Sequence, residues 1–173
     1  FATGSKFVGA QLYRAQLNSS RMDNANFTHA TMQEVTANHA DFTGALFDNA
    51  DLSRASAKSS IFSGSMKNVK LDGGNFTSAS FSNDLHARLN MTSASAQAAT
   101  FTSASFTWVD ATNARFDRVQ AQYLGIENST FAKTTFTDAN LMFSGAIFGG
   151  FRKTNFDGAH FEYARLGYSD LSD

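Results

Sequence analysis

The chain has 173 residues with 15 acidic and 14 basic side chains, a net charge of −1, 42% hydrophobic residues, 18 Phe, and neither Cys nor Pro. Near-neutral charge excludes a strongly basic nucleic-acid binder, and with no long apolar run no membrane span is expected. The missing Cys removes disulfides, thiolate metal sites and Cys nucleophiles together.

Large apolar residues recur every five positions from the first residues onward. From Phe7 through Leu12, Leu17, Met22, Phe27 and Met32 to Phe62 the register advances by five without a break, and two places before each large residue stands a small one, as in Ala25/Phe27 and Ala45/Phe47. The next advance, to Met66, takes four residues across Ser63, Gly64 and Ser65. From Met66 the new phase holds through Leu71, Phe76 and Phe81 to Leu171. A helix is excluded, because steps of five rotate a residue by about 140° and build no face. In extended chain, residues two apart share a face, so Ala25 and Phe27 both point inward. The odd step from Phe27 to Ala30 keeps that face only if the chain turns a corner. Each repeat is then a short strand plus a bend, and successive turns stack at about 4.8 Å. Zero Pro fits, since each strand donates to the ladder.

Runs such as Ala25-Asn26-Phe27-Thr28-His29, Ala40-Asp41-Phe42-Thr43-Gly44, Ala50-Asp51-Leu52-Ser53-Arg54 and Ala139-Asn140-Leu141 carry Ala, Asp or Asn, Leu or Phe, then Ser or Thr. In this the chain resembles the pentapeptide-repeat family. The resemblance implies an all-β, right-handed quadrilateral β-helix with four repeats per coil, hence about eight coils and a rod of roughly 40 Å. Residues 1–173 are expected to form a single domain of this kind, with the register shift near 63–65 and a pattern break near 84–90.

Within the break, strict register places Asp84 at a small inward position and His86 at a large one, burying charge at a cost. Three readings are open: a loop that turns both outward while Leu85 and Leu89 fill the core, a buried hydrogen-bonded Asp84/His86 pair, or a binding or catalytic site. His29, His39 and His160 fall at outward positions on different faces or distant coils, so no His metal site is expected. The sequons Asn26-Phe27-Thr28, Asn75-Phe76-Thr77 and Asn90-Met91-Thr92 follow from the repeat itself. Gly73-Gly74 and Gly149-Gly150 lack the context of a phosphate loop. No triad, carboxylate pair or metal cluster can be assembled, so neither enzyme activity nor a cofactor is expected.

Outward positions in the second half depart from the repeat. Trp108, Tyr123, Phe143, Phe148, Tyr163 and Tyr168 sit two places after a large central position, where the first half carries Arg14, Ser19, Asn24, His29, Glu34, His39 and Gly44. Spaced by twenty, Tyr123, Phe143 and Tyr163 are expected to stack on one face. Trp108, Phe148 and Tyr168 belong to the neighbouring face with Asn128 interrupting, and Met142 and Ile147 also point outward nearby. Such a patch is read as partner-binding, against the alternative that stacked aromatics only reinforce the ladder.

The functional expectation is a non-enzymatic protein-protein interaction module. It would be an accessory or scaffolding subunit docked in a larger assembly through the aromatic patch and uncapped ends, by end-to-end or side-on association, with no nucleic acid bound. One alternative, implied by the resemblance, is a DNA-mimicking modulator of DNA gyrase as in the quinolone-resistance pentapeptide proteins. That mechanism needs a strongly negative rod, whereas Lys and Arg are spread along this one. Another is an ice-type surface binder using outward Thr28, Thr43, Thr77, Thr92, Thr102, Thr107 and Thr137, whose columns are mixed. A start at Phe1 fits a processed chain exported to a thylakoid lumen or periplasm, or a fragment of a cytosolic one.

Overall fold

The computed structural model describes residues 2–82 and 88–172. The chain winds into a four-sided tube in which every bridge between neighbouring coils is parallel. Face 1 carries the ladder Lys6, Asn26, Leu46, Ser65, Asn90, Asp110, Thr130, Gly150 and Asp170; faces 2, 3 and 4 start their ladders at Gln11, Gln16 and Arg21. Face 4 is the most regular. Along it run β1 (Asp41–Phe42), β2 (Ile61–Phe62), β3 (Ser80–Ser82), β5 (Ser105–Thr107), β7 (Gly125–Glu127), β8 (Gly145–Ile147) and β9 (Arg165–Gly167), forming a seven-stranded parallel sheet. A second pair, β4 (Leu89–Asn90) with β6 (Val109–Asp110), lies on face 1. The seven strands of face 4 span six inter-coil steps, the isolated bridge of Arg21 to Asp41 adds a seventh there, and the nine rungs of face 1 make eight.

Each corner shows how five residues make a strand and a turn. Phe27 N donates to Leu46 O in the next coil at 2.7 Å, and Ala30 N closes a turn on Phe27 O at 2.9 Å. The second turn residue, His29, has φ +60, the left-handed conformation that a type II turn requires at that position. The same holds for Arg14, Glu34, Ala98, Lys133 and many other types. The residue before the large one fixes the turn: Asn26 Oδ1 accepts the Thr28 amide at 2.9 Å, and Asn75 and Asn90 accept both amide and hydroxyl of Thr77 and Thr92. These three Asn-X-Thr sequons are thus turn-forming pairs, each flanking a buried Phe or Met.

Inside, the small residues leave room for columns of rings. Phe27 stacks on Phe47 at 4.9 Å, Phe62 on Phe81 at 5.0 Å and Phe81 on Phe106 at 5.0 Å, while rings of adjacent columns meet edge to face, as Phe42 and Phe47 do at 5.2 Å. Each such pair contributes about 0.5–1.5 kcal/mol beyond its burial. Ser and Thr replace Ala at some inward positions and stay buried. Ser60 Oγ donates to Ala37 O at 2.6 Å, Thr134 Oγ1 to Ala111 O at 2.8 Å and Ser144 Oγ to Ala121 O at 2.9 Å, tying each coil to the one below.

Coil length changes twice, both times at the corner between faces 4 and 1. Leu46 bridges Ser65, nineteen residues on, and Gly64 turns that shortened corner with φ +105. Ser65 then bridges Asn90 and Lys70 bridges Ser95, twenty-five residues on. One coil therefore takes a whole extra repeat. Asp84, Leu85 and His86 lie outside the described residues. Leu89, just past them, is fully buried.

Candidate interaction surface

The outward aromatics gather on the two corners that bound face 4 in its later coils. Tyr123, Phe143 and Tyr163 follow face 3 at φ +59, +59 and +62, and Phe148 and Tyr168 follow face 4 at φ +54 and +52. Bulky residues in the left-handed region cost on the order of 1–2 kcal/mol each. The fold does not demand them, since Ser19, Asn24 and Gly44 occupy equivalent corners in earlier coils.

The first set forms a continuous rail. Tyr123 stacks on Phe143 at 5.0 Å and 8°, and Phe143 on Tyr163 at 5.0 Å and 6°. Phe148 stacks on Tyr168 at 5.4 Å. Because ring faces cover each other, the rails present ring edges outward. Between them the floor of face 4 carries Gly125 and Glu127, then Gly145 and Ile147, then Arg165 and Gly167. A methyl group added at Gly145 would meet nothing within 4 Å, and at Gly125 or Gly167 only a carbonyl oxygen at 3.9 Å. Neither is any of the three at positive φ, so sterics do not dictate glycine there. An open depression of about 430 Å³ lies along Tyr123, Phe143, Gly145, Tyr163 and Arg165, and one of about 240 Å³ adjoins it between Gly125 and Ile147.

Two of the eight residues singled out from the sequence sit differently. Trp108 is half-buried, with the Arg88 guanidinium 6.0 Å from its ring centre, and Asn128 separates it from Phe148. Met142 is half-buried beside the first rail. Tyr123, Phe143, Ile147, Phe148, Tyr163 and Tyr168 are 42–86% exposed, the last two being in the last described coil. The glycine floor was missed by sequence reading; the five-residue pattern places Gly125 and Gly145 at the outward strand position, where their recurrence twenty residues apart was the available signal.

Charge elsewhere is balanced rather than concentrated. Glu34 lies between Arg14 Nε at 2.7 Å and Arg54 Nη2 at 2.9 Å along one corner. The hydrogen bond from Arg14 holds the Glu34 carboxyl below the usual range. Asp41 is also held low, first by the Thr43 hydroxyl at 2.6 Å. Among the described residues, no group of three or more His, Asp or Glu is placed to hold a metal, and no helix is long and apolar enough to cross a membrane.

A family model described as pentapeptide repeats matches residues 2–33 and 25–64, in eight copies. HetL of Nostoc sp. strain PCC 7120, described as a pentapeptide repeat protein involved in heterocyst differentiation regulation, superposes with a TM-score of 0.62 at 20% identity over 98% of this chain and 84% of its own. Two trypsin-treated forms of QnrB1, a plasmid-mediated fluoroquinolone resistance protein, superpose with TM-scores of 0.77 and 0.78 at 19% and 20% identity, over 98% and 99% of this chain and 84% of theirs. No curated protein matches the sequence. Residues 2–64 match the pentapeptide-repeat family model, and the chain shares the four-sided parallel β-helix fold of these solved structures.

Proposed function

We propose that this β-helix is a non-enzymatic interaction module whose docking surface is face 4 and its flanking aromatic rails in the later coils. One observation carries this reading. Large aromatic side chains occupy strained, exposed corners that the same fold fills with Ser, Asn or Gly elsewhere. A monomer gains little from wetting them, whereas a partner that covers them gains their full burial. The gyrase-directed DNA mimic draws on the likeness to QnrB1. It would need a surface of one sign, and the alternation of Arg14, Glu34 and Arg54 with a net charge of −1 argues against it.

The test replaces Tyr123, Phe143 and Tyr163 together by Ser, a residue that already occupies such corners at Ser19 and Ser59. Two stacked pairs are lost, about 1–3 kcal/mol, so melting should fall by about 2–12 °C with the β circular-dichroism signal intact. Binding of a hydrophobic dye to the native protein should drop. Loss of the β signal would show that the rail holds the coils together, and the interaction reading would fail.

A further inference from the structure

Face 4 carries a pattern that fits itself. We propose that its occupant is a second copy of this chain, packed face to face with the two solenoid axes antiparallel about a two-fold axis at the level of Gly145 and Ile147. The proposal rests on the interaction reading above and names its partner.

Three observations converge. The first is repeat. The rails carry one ring every 5.0 Å, centre to centre, and a surface with that spacing is met in step along its length by another of the same spacing, which a second copy supplies. The second is charge. Glu127 stands one coil before Ile147 and Arg165 one coil after its neighbour Gly145. An antiparallel two-fold is isologous, so it carries Glu127 of each copy to the Arg165 level of the other, giving two charge pairs from one pairing. Ile147 then falls against its own counterpart near the axis, and the glycine floors let the two sheets approach. The third is area. Tyr123, Phe143, Ile147 and Phe148 are 42–59% exposed, and with the outer edges of the two tyrosines beyond them they offer on the order of 600 Å² per copy, close to the roughly 800 Å² per partner of a standard interface.

Sedimentation velocity on this chain, from low to high micromolar concentration, reads the proposal. The expected result is a reversible shift from 18.7 kDa to twice that mass. Ile147→Arg sets two guanidinium groups together on the axis and should leave a folded monomer. Glu127→Arg and Arg165→Glu should each weaken association at least about tenfold, and the double variant should recover it. A native chain that stays monomeric throughout, or a dimer indifferent to Ile147→Arg and to both reversals, overturns the second-copy proposal. Neither outcome touches the interaction reading, which stands or falls on the serine variant's β signal.

Discussion

Gly64 is where the backbone leaves least room, and Gly64→Ala is the sharpest test of how the shortened corner is built. Its φ of +105 lies beyond the left-handed values of 50–62 that the non-glycine residues of this chain adopt. A methyl group there would overlap the Ala45 carbonyl oxygen and lie 2.9 Å from the Gly44 carbonyl carbon, and these are backbone atoms that cannot swing aside. Strained dihedrals cost about 1–3 kcal/mol, and overpacking against a fixed neighbour adds about 1–3 kcal/mol. The sum, about 2–6 kcal/mol, corresponds to a fall in melting temperature of about 4–24 °C for a domain of this size. Gly73→Ala is the control. Its φ of +64 is one that Ala98 already tolerates nearby at +54, and its nearest atom would be Arg54 Cγ at 3.6 Å. It should cost about 1 kcal/mol. Thermal melts followed by far-ultraviolet circular dichroism compare the two directly. If Gly64→Ala melts within 3 °C of Gly73→Ala, the corner relaxes freely and the reasoning is wrong.

Ser129→Ala removes a buried hydroxyl that accepts the Val109 amide at 2.9 Å and donates to Glu127 O at 2.8 Å. The orphaned amide should lower stability by about 1–3 kcal/mol, against little change for an exposed serine such as Ser103, measured by urea titration. Acid should also destabilise the fold. Asp41 and Asp170 are held below their ordinary value in the folded state, Asp41 first by the Thr43 hydroxyl and Asp170 first by the Ser172 amide. Their contribution is present above the unfolded value of about 3.9 and is lost as pH falls through the lower folded values. Melting temperature should therefore hold from pH 7 to about 5 and drop below about 4; a flat profile down to pH 2 would show that these bonds contribute nothing.

The inward ladder was legible because a five-residue step leaves one way to keep Ala25, Phe27 and Ala30 on one side. Left-handed corners were not, since Arg14, Glu34, Tyr123 and Lys133 share that conformation and no common residue type marks it. The break after Phe81 was visible as a lapse in pattern, yet its form, a coil of twenty-five residues, depends on which strand Asn90 joins. Pairing between distant residues leaves no local mark. Of the candidate surface, the rails could be read from spacing by twenty. That Trp108 lies half-covered under Arg88 could not, because Arg88 arrives from across the altered coil.

Shortening at Gly64 and lengthening before Leu89 fall in successive coils at one corner, and the ladders resume in step on the far side of both. At that corner chain ties reach across coils, as Gly44 N does to Ser63 Oγ at 2.7 Å and Val109 N to Ser129 Oγ. Closure there depends on the adjoining coil more than on a fixed number of residues. This edge is consequently the place where heritable insertions and deletions can accumulate while the rest of the rod is copied unchanged, and where a foreign loop could be grafted.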